Sequence, residues 1–301
     1  MPLRLAHFSD LHLTATPLGW RVRDVLSKKA TGWVNVKLLG RGRRFKHALA
    51  VTAALRRDLA TRGFDHLVFS GDATTLAFES EMKLAAEALG VTDPTLPPGL
   101  AVPGNHDYYT RFVERIGLFE TYFAKWQEGE RVDGKPYPFA RRAGPVWLIG
   151  VNSCTANRMT WDATGRIGEA QLDRLRTLCA TLSPGPRILV THYPLRNAKG
   201  KVEVRTHRLR DHAEALATAA ECGISLWLHG HLHRPFFLPS GGDRPFPIVC
   251  GGSASQTRRW GYHDYTIEEN QLRAVRRVYD VKAGEFRDAL AFDLELASRE
   301  R

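Results

Sequence analysis

The chain has 301 residues, 43% hydrophobic and 25% charged, with a formal net charge of +11. That balance supplies ample apolar material for a core, and no run approaches the ~18 apolar residues of a membrane-spanning helix. The opening Met1-Pro2-Leu3-Arg4 meets Asp10 and His12 too soon for a secretory signal. Cys154, Cys179, Cys222 and Cys250 lie too far apart for a disulfide framework or a zinc ribbon. A reducing, cytoplasmic setting is the expectation.

Short apolar runs predict strands over Arg4–Ser9, His66–Ser70, Leu100–Pro103, Val146–Asn152, Arg187–Thr191 and Ser225–His229. Their length and Val/Ile/Leu/Phe content suit strands buried on both faces. Between them, three- and four-residue apolar spacing predicts helices over Ala48–Arg62, Glu79–Leu89, Phe112–Trp126, Glu169–Leu182 and Leu209–Cys222. Such alternation belongs to a layered α/β fold. Towards the end, Pro247–Gly251, Tyr262–Glu268 and Gln271–Tyr279 read as strands, with Glu269-Asn270 as the turn of an antiparallel hairpin closing a second sheet. No linker, repeat or low-complexity tract interrupts the chain, so one domain spanning 1–301 is expected.

The positive charge is local. Pro17–Lys46 holds nine Lys/Arg (Arg21, Arg23, Lys28, Lys29, Lys37, Arg41, Arg43, Arg44, Lys46) against the single acid Asp24, and the rest of the chain is nearly balanced. Trp20, Val22, Val25, Leu26, Trp33, Val34, Val36, Leu38 and Leu39 are interleaved with these cations. Cations mixed with tryptophan and aliphatic residues suit an anionic membrane surface or lipid substrate, the first expectation for this segment. A nucleic-acid groove is the second; a cap that merely packs on the body is the third.

Five polar clusters each follow a predicted strand: Asp10-Leu11-His12, Gly71-Asp72, Gly104-Asn105-His106-Asp107, His192, and Gly230-His231-Leu232-His233. Strand C-termini of such folds converge on one crevice. Carboxylates, imidazoles and an amide gathered there without a partner would be costly, and a pair of divalent cations supplies that partner. In order and spacing the clusters resemble the signature of the calcineurin-like metallophosphoesterases. The resemblance implies a four-layer α/β/β/α sandwich of two mixed sheets flanked by helices. It implies one metal on Asp10, His12, Asp72 and His233, and a second on Asp72, Asn105, His192 and His231. His106 is then the catalytic acid beside the leaving group. The metals are two of Mn, Fe, Zn or Co, with Mn favoured, since the donors are nitrogen and oxygen without thiolate.

The reaction implied is hydrolysis of a phosphate ester or anhydride. A lipid-linked substrate such as UDP-2,3-diacylglucosamine comes first, then a cyclic nucleotide, then DNA, with a non-enzymatic scaffold last. The partner is a phosphorylated small molecule or lipid head group, and residues 17–46 would add a peripheral position on the inner membrane. Gly71-Asp72-Ala73-Thr74-Thr75 departs from the longer G-D-x-x-D-R-G of the protein phosphatases, which counts against that activity. Asp107 reads as a brace for its loop, Arg196 as a phosphate contact or a solvated arginine, and Tyr108 and Tyr109 as stacking or packing residues. His7, His47, His66, His207, His212, His229 and His263 read as core or surface residues.

Overall fold

A computed structural model describes residues 2–38, 40–159 and 161–297. Leu39 and the side chain of Arg41, both counted in the basic segment, lie outside that description, as do Met1 and residues 298–301. Strand β1 (Leu3–Phe8) leads through α1 (Val22–Val25), α2 (Lys28–Lys37) and a 3₁₀ turn (Arg41–Phe45) to α3 (Ala48–Thr61), β2 (His66–Phe69), α4 (Glu79–Leu89) and β3 (Gly99–Ala101). Then come α5 (Arg111–Ile116), α6 (Leu118–Tyr122), a 3₁₀ turn (Ala124–Gln127), β4 (Glu130–Arg131), β5 (Phe139–Ala143), β6 (Val146–Gly150), α7 (Glu169–Thr181), β7 (Arg187–Val190), α8 (His212–Glu221) and β8 (Leu226–His229). The chain continues through β9 (Phe236–Leu238), β10 (Ile248–Cys250), β11 (Gly261–Glu268), β12 (Gln271–Asp280) and β13 (Glu285–Glu295).

These strands form two mixed sheets, ordered β13-β12-β11-β1-β2-β3 and β4-β5-β6-β7-β8-β10-β9. Within them β1, β2 and β3 run parallel, as do β6, β7, β8 and β10. Period-two alternation divides the core into layers. Leu3, Leu5, Val68 and Leu100 of one sheet share an apolar cluster with Leu148, Val190 and Leu228 of the other. The alternate residues Ala6 and Phe8 join helix residues such as Leu55 and Met82. Each fully buried leucine contributes about 1.5–3 kcal/mol, so the sheet-to-sheet contact rigidly fixes where the strand ends meet.

The predicted hairpin forms, but it attaches through β11 to β1 in the first sheet, while Ile248–Cys250 joins the other. Strand β13, paired along the whole of β12, was not anticipated: most of its residues are exposed, and the charged Arg287-Asp288 pair follows the buried Phe286 and interrupts the alternation. The helix expected over Phe112–Trp126 is broken at Gly117, whose φ of 62° closes α5 as a left-handed cap. All four cysteines are buried, and no disulfide forms among the described residues. Among the described residues no helix is long and apolar enough to cross a membrane.

Glu81, in the first turn of α4, reaches back so that its Oε2 accepts the N–H groups of Leu76 (2.9 Å) and Phe78 (3.2 Å). Burial pushes its carboxyl from the ordinary 4.5 up to about 7, against those two donors. A folded-state value above the unfolded one means stability present at low pH and lost as pH rises through 7. Urea unfolding between pH 4.5 and 7.5 is expected to show the wild type losing up to roughly 3 kcal/mol relative to Glu81→Gln. A constant difference over that range would contradict this.

Candidate metal centre

The loops leaving β1, β2, β3, β7 and β8 meet at one edge of the two sheets. Asp10 N–H donates to the Gly71 carbonyl (2.9 Å), and the Leu11 and His12 N–H groups donate to the Asp72 carbonyl (2.8 and 3.0 Å), so the first two loops are laced together. Five residues of the predicted ligand set stand at positive φ: Asp10 (56°), His12 (48°), Asp72 (60°), His231 (69°) and His233 (57°). Non-glycine residues in that region cost on the order of 1–3 kcal/mol each, which only a densely bonded surrounding can hold. Two glycines make the approach possible. A Cβ on Gly104 would lie 2.0 Å from Asp72 Oδ1, and one on Gly230 would lie 2.0 Å from Ser9 Oγ.

Asp10, His12, Asp72 and His233 present donor atoms all within 4.8 Å of one another. His12 Nε2 lies 3.4 Å from Asp72 Oδ2 and 3.1 Å from His233 Nε2, and His233 Nε2 lies 3.2 Å from Asp10 Oδ1. A second group adjoins the first. His192 Nε2 is 3.4 Å from the same Asp72 Oδ2 and 3.2 Å from Asn105 Oδ1, which is itself 3.0 Å from His231 Nδ1. Thus one carboxylate oxygen stands between two imidazole-containing sets, and all seven predicted residues converge.

The ring nitrogens that face away are anchored, and this orients the others. His192 Nδ1 donates to the Ser70 carbonyl (2.7 Å), His231 Nε2 to the His207 carbonyl (3.2 Å), and His233 Nδ1 to Gln256 Oε1 (2.5 Å). Since those oxygens accept, the opposite nitrogen of each neutral ring carries the lone pair towards the crevice, as a metal ligand must. Asp10 Oδ1 is buried and has no hydrogen-bond partner among the described residues, the position of a group awaiting a cation. Burial alone would raise the Asp72 carboxyl, but the facing rings of His192, His106 and His12 hold it well below the usual carboxylate range. Burial would lower His192, yet Asp72 and Asp10 carry it up to about 9, so without a cation its crevice-facing nitrogen holds a proton, which a bound cation would displace to take the lone pair.

His106 stands apart from the donor sets. Its backbone N–H donates to Asp72 Oδ1 (2.7 Å), and its Nδ1 donates to the Thr75 carbonyl (2.7 Å). Its ring lies 4.7 Å from that of His12 and stacks on Tyr109 at 5.5 Å. Asp107 is wholly buried behind the loop and accepts N–H groups of Asp72, Ala73, Thr74 and Gly104 at 2.8–3.2 Å. It therefore braces two loops at once and faces no solvent. Arg196 pairs with Asp243 (2.5 Å), and Tyr108 donates to Glu120 (2.5 Å); neither lines the crevice, whereas Tyr109 does.

The crevice opens into a cavity of about 730 Å³ whose walls include Lys28, Asn35 and Arg44 of the basic segment, together with Trp161, His207 and Arg259. Phe45 lays its ring 4.6 Å from His12 and 5.8 Å from His233, sealing that end. Sequence reasoning missed Phe45, Gln256 and the carbonyls of Ser70, Thr75 and His207. A carbonyl has no sequence signature, although the small-residue run Gly251-Gly252-Ser253-Ala254-Ser255 before Gln256 is the mark of a tight turn after a strand.

A family model described as calcineurin-like phosphoesterase matches residues 3–235, and so takes in every residue of both donor sets. The chain belongs to that family. Calcineurin-like phosphoesterases are metal-binding hydrolases, and the two mixed sheets flanked by helices are their fold. A dimetal phosphatase from Danio rerio superposes with a TM-score of 0.67 at 11% identity, covering 99% of this chain and 100% of that one. Purple acid phosphatase PPD1 from yellow lupin (Lupinus luteus) matches with a TM-score of 0.61 at 12% identity, over 98% of this chain and 54% of that one. The chain thus spans about half the length of the lupin enzyme. GAP50, the anchor in the inner membrane complex of Plasmodium, matches with a TM-score of 0.58 at 11% identity, covering 99% and 90%. No curated protein matches the sequence. At these identities the solved structures speak for the fold alone.

The brace at Asp107 is testable. Asp107→Ala leaves four buried N–H groups unpaired, each costing about 1–3 kcal/mol, so a loss of at least about 3 kcal/mol is expected in urea unfolding. Asp107→Asn, which keeps one acceptor oxygen, is expected to lose less. Equal and small losses for both would contradict the bracing role.

Proposed function

We propose that this calcineurin-like phosphoesterase hydrolyses a lipid-linked phosphoanhydride or phosphodiester, with UDP-2,3-diacylglucosamine as the leading example, through two divalent cations. The position of Asp72 Oδ2, 3.4 Å from both His12 Nε2 and His192 Nε2, carries the two-metal part of the reading. Asp10, His12, Asp72 and His233 would hold one cation, and Asp72, Asn105, His192 and His231 the other. The residues fit such a pair: lone pairs of anchored imidazoles converge, and an orphaned buried carboxylate oxygen faces them. When bound, the cations supply Lewis acidity and an activated water at neutral pH. The donor set suits Mn, Fe, Zn or Co, and we favour manganese.

His106 supplies the proton. Its Nδ1–H is held by the Thr75 carbonyl, so the proton exchanged with a leaving oxygen is the one on Nε2. Tyr109, stacked on that ring, and the Asp72 contact to its backbone N–H keep it in place. The side chains of Phe45 and Tyr109 flank the donors and limit water there.

The basic segment supports the lipid-linked substrate. Its helix α2 borders the cavity, and the segment leaves Val22, Val25, Leu26 and Leu38 exposed, among Arg21, Arg23 and Lys37. Arg21 is paired with Glu79 at 3.0 Å, but the segment as a whole carries nine cations against one acid, and apolar side chains left in water beside such an excess match an anionic membrane surface.

Two experiments test this. Manganese-supplemented protein is assayed on UDP-2,3-diacylglucosamine, cyclic AMP, bis-p-nitrophenyl phosphate and single-stranded DNA, with metal content measured alongside. Asp72→Ala is expected to lose both cations and activity together. His106→Asn is expected to keep both cations while kcat falls roughly 10²–10⁴-fold. Full metal content in Asp72→Ala would refute the shared carboxylate, and preferential turnover of cyclic AMP would refute the substrate. Separately, the protein is expected to sediment with phosphatidylglycerol vesicles and much less with phosphatidylcholine, and Leu26→Glu combined with Val22→Glu should weaken the difference. Equal sedimentation with both lipids would refute membrane docking.

A further inference from the structure

Arg44 in the basic segment and Arg259 after β10 line the same cavity as Asp72, Asn105 and His233. The chain fixes both there. The Thr257 N–H donates to the Arg44 carbonyl (2.7 Å), tying the 3₁₀ turn to the Arg259 loop, and the next residue, Phe45, is seated on His12. The Arg259 N–H donates to the Gln256 carbonyl (2.8 Å), and Gln256 in turn holds His233. Burial, with the facing guanidinium groups of Arg234 and Arg44, pulls the half-buried Arg259 below its ordinary value. No carboxylate among the described residues lies within 4 Å of any of these three guanidinium groups. Among the described residues, the one acid on the cavity rim besides Asp72 is Asp162, which faces Lys28 across the opening.

Two arginines facing one cavity without an anion are a costly arrangement, because like charges repel and one of them is partly desolvated. Guanidinium groups in a fixed fork match phosphate oxygens. Solvation by a surface would have been cheaper had they pointed apart, yet backbone bonds from two separate segments aim Arg44 and Arg259 into one cavity. We infer that Arg44 and Arg259 form a second anion subsite beside the His233 end of the crevice, which holds a further phosphate of a diphosphate-bearing substrate. The inference rests on reading the crevice as a phosphoester site and narrows its substrate: a lone phosphodiester leaves the arginines unmatched, and a nucleoside diphosphate group satisfies them.

The test compares ADP with AMP, which differ by one phosphate, by calorimetric titration of the metal-loaded protein at fixed ionic strength. The wild type is expected to bind ADP at least about tenfold more tightly than AMP. Arg259→Gln and Arg44→Gln are each expected to reduce that preference to about threefold or less, with AMP affinity and turnover of bis-p-nitrophenyl phosphate within about twofold of wild type. Arg57→Gln, an exposed arginine on α3, removes the same charge elsewhere and is expected to change nothing. An unaltered preference in the cavity variants, or equal binding of ADP and AMP by the wild type, would overturn the subsite. So would an equal loss of both ligands in those variants. If no ester is turned over but the ADP preference falls as described, the subsite stands and the hydrolase reading fails.

Discussion

A single buried carboxylate organises this molecule. Asp72 offers one oxygen to His12 and His192 at equal distance and the other to the His106 N–H, while its own carbonyl receives the Leu11 and His12 N–H groups. Four of the five loops are thereby bound, directly or through one ring, to one side chain, and the fifth, carrying His231 and His233, is bound through Asp10 Oδ2 and the His12 ring. Removing a charge from water is expensive unless neighbours compensate it, and here the compensation comes from imidazoles arranged around it.

The sheets make that gathering possible, and the loops bear its strain. Parallel strands packed through Leu3, Leu5, Val190 and Leu228 place their C-terminal ends at one edge. From there the chain must turn sharply, and it does so with Asp10, His12, Asp72, His231 and His233 themselves in left-handed conformations. Glycine would adopt these conformations more easily but would bring no donor atom to the crevice. The bonds from Asp107, Ser253 and Gln256 hold these loops in place.

Much of this was legible in the sequence, for a physical reason. Buried parallel strands are dense apolar runs, and polar clusters that follow them are conspicuous. So β1, β2, β7 and β8 and the residues after them could be read to within a residue or two at the ends. The edge strand β13, and β5, which only the two-residue β4 flanks on its outer side, were not legible, because Arg141, Arg142, Arg287 and Asp288 interrupt their alternation. The helix through Gly117 was misread because its apolar spacing persists across the break, while the left-handed glycine decides the geometry. Anchors such as the Ser70 and Thr75 carbonyls have no side-chain signature, so the orientation of the imidazoles emerged only from the folded chain. The charge of residues 17–46 was visible from the start, but its division was not. Some of these cations face outward with Val22 and Leu26, while Lys28 and Arg44 face the cavity.

The central claim is that two cations share Asp72, and low-temperature electron paramagnetic resonance of the manganese-loaded protein tests it directly. An exchange-coupled dimanganese spectrum is predicted, replaced in Asp72→Ala by the signal of free manganese. A six-line spectrum of isolated manganese from the loaded wild-type protein would contradict the account.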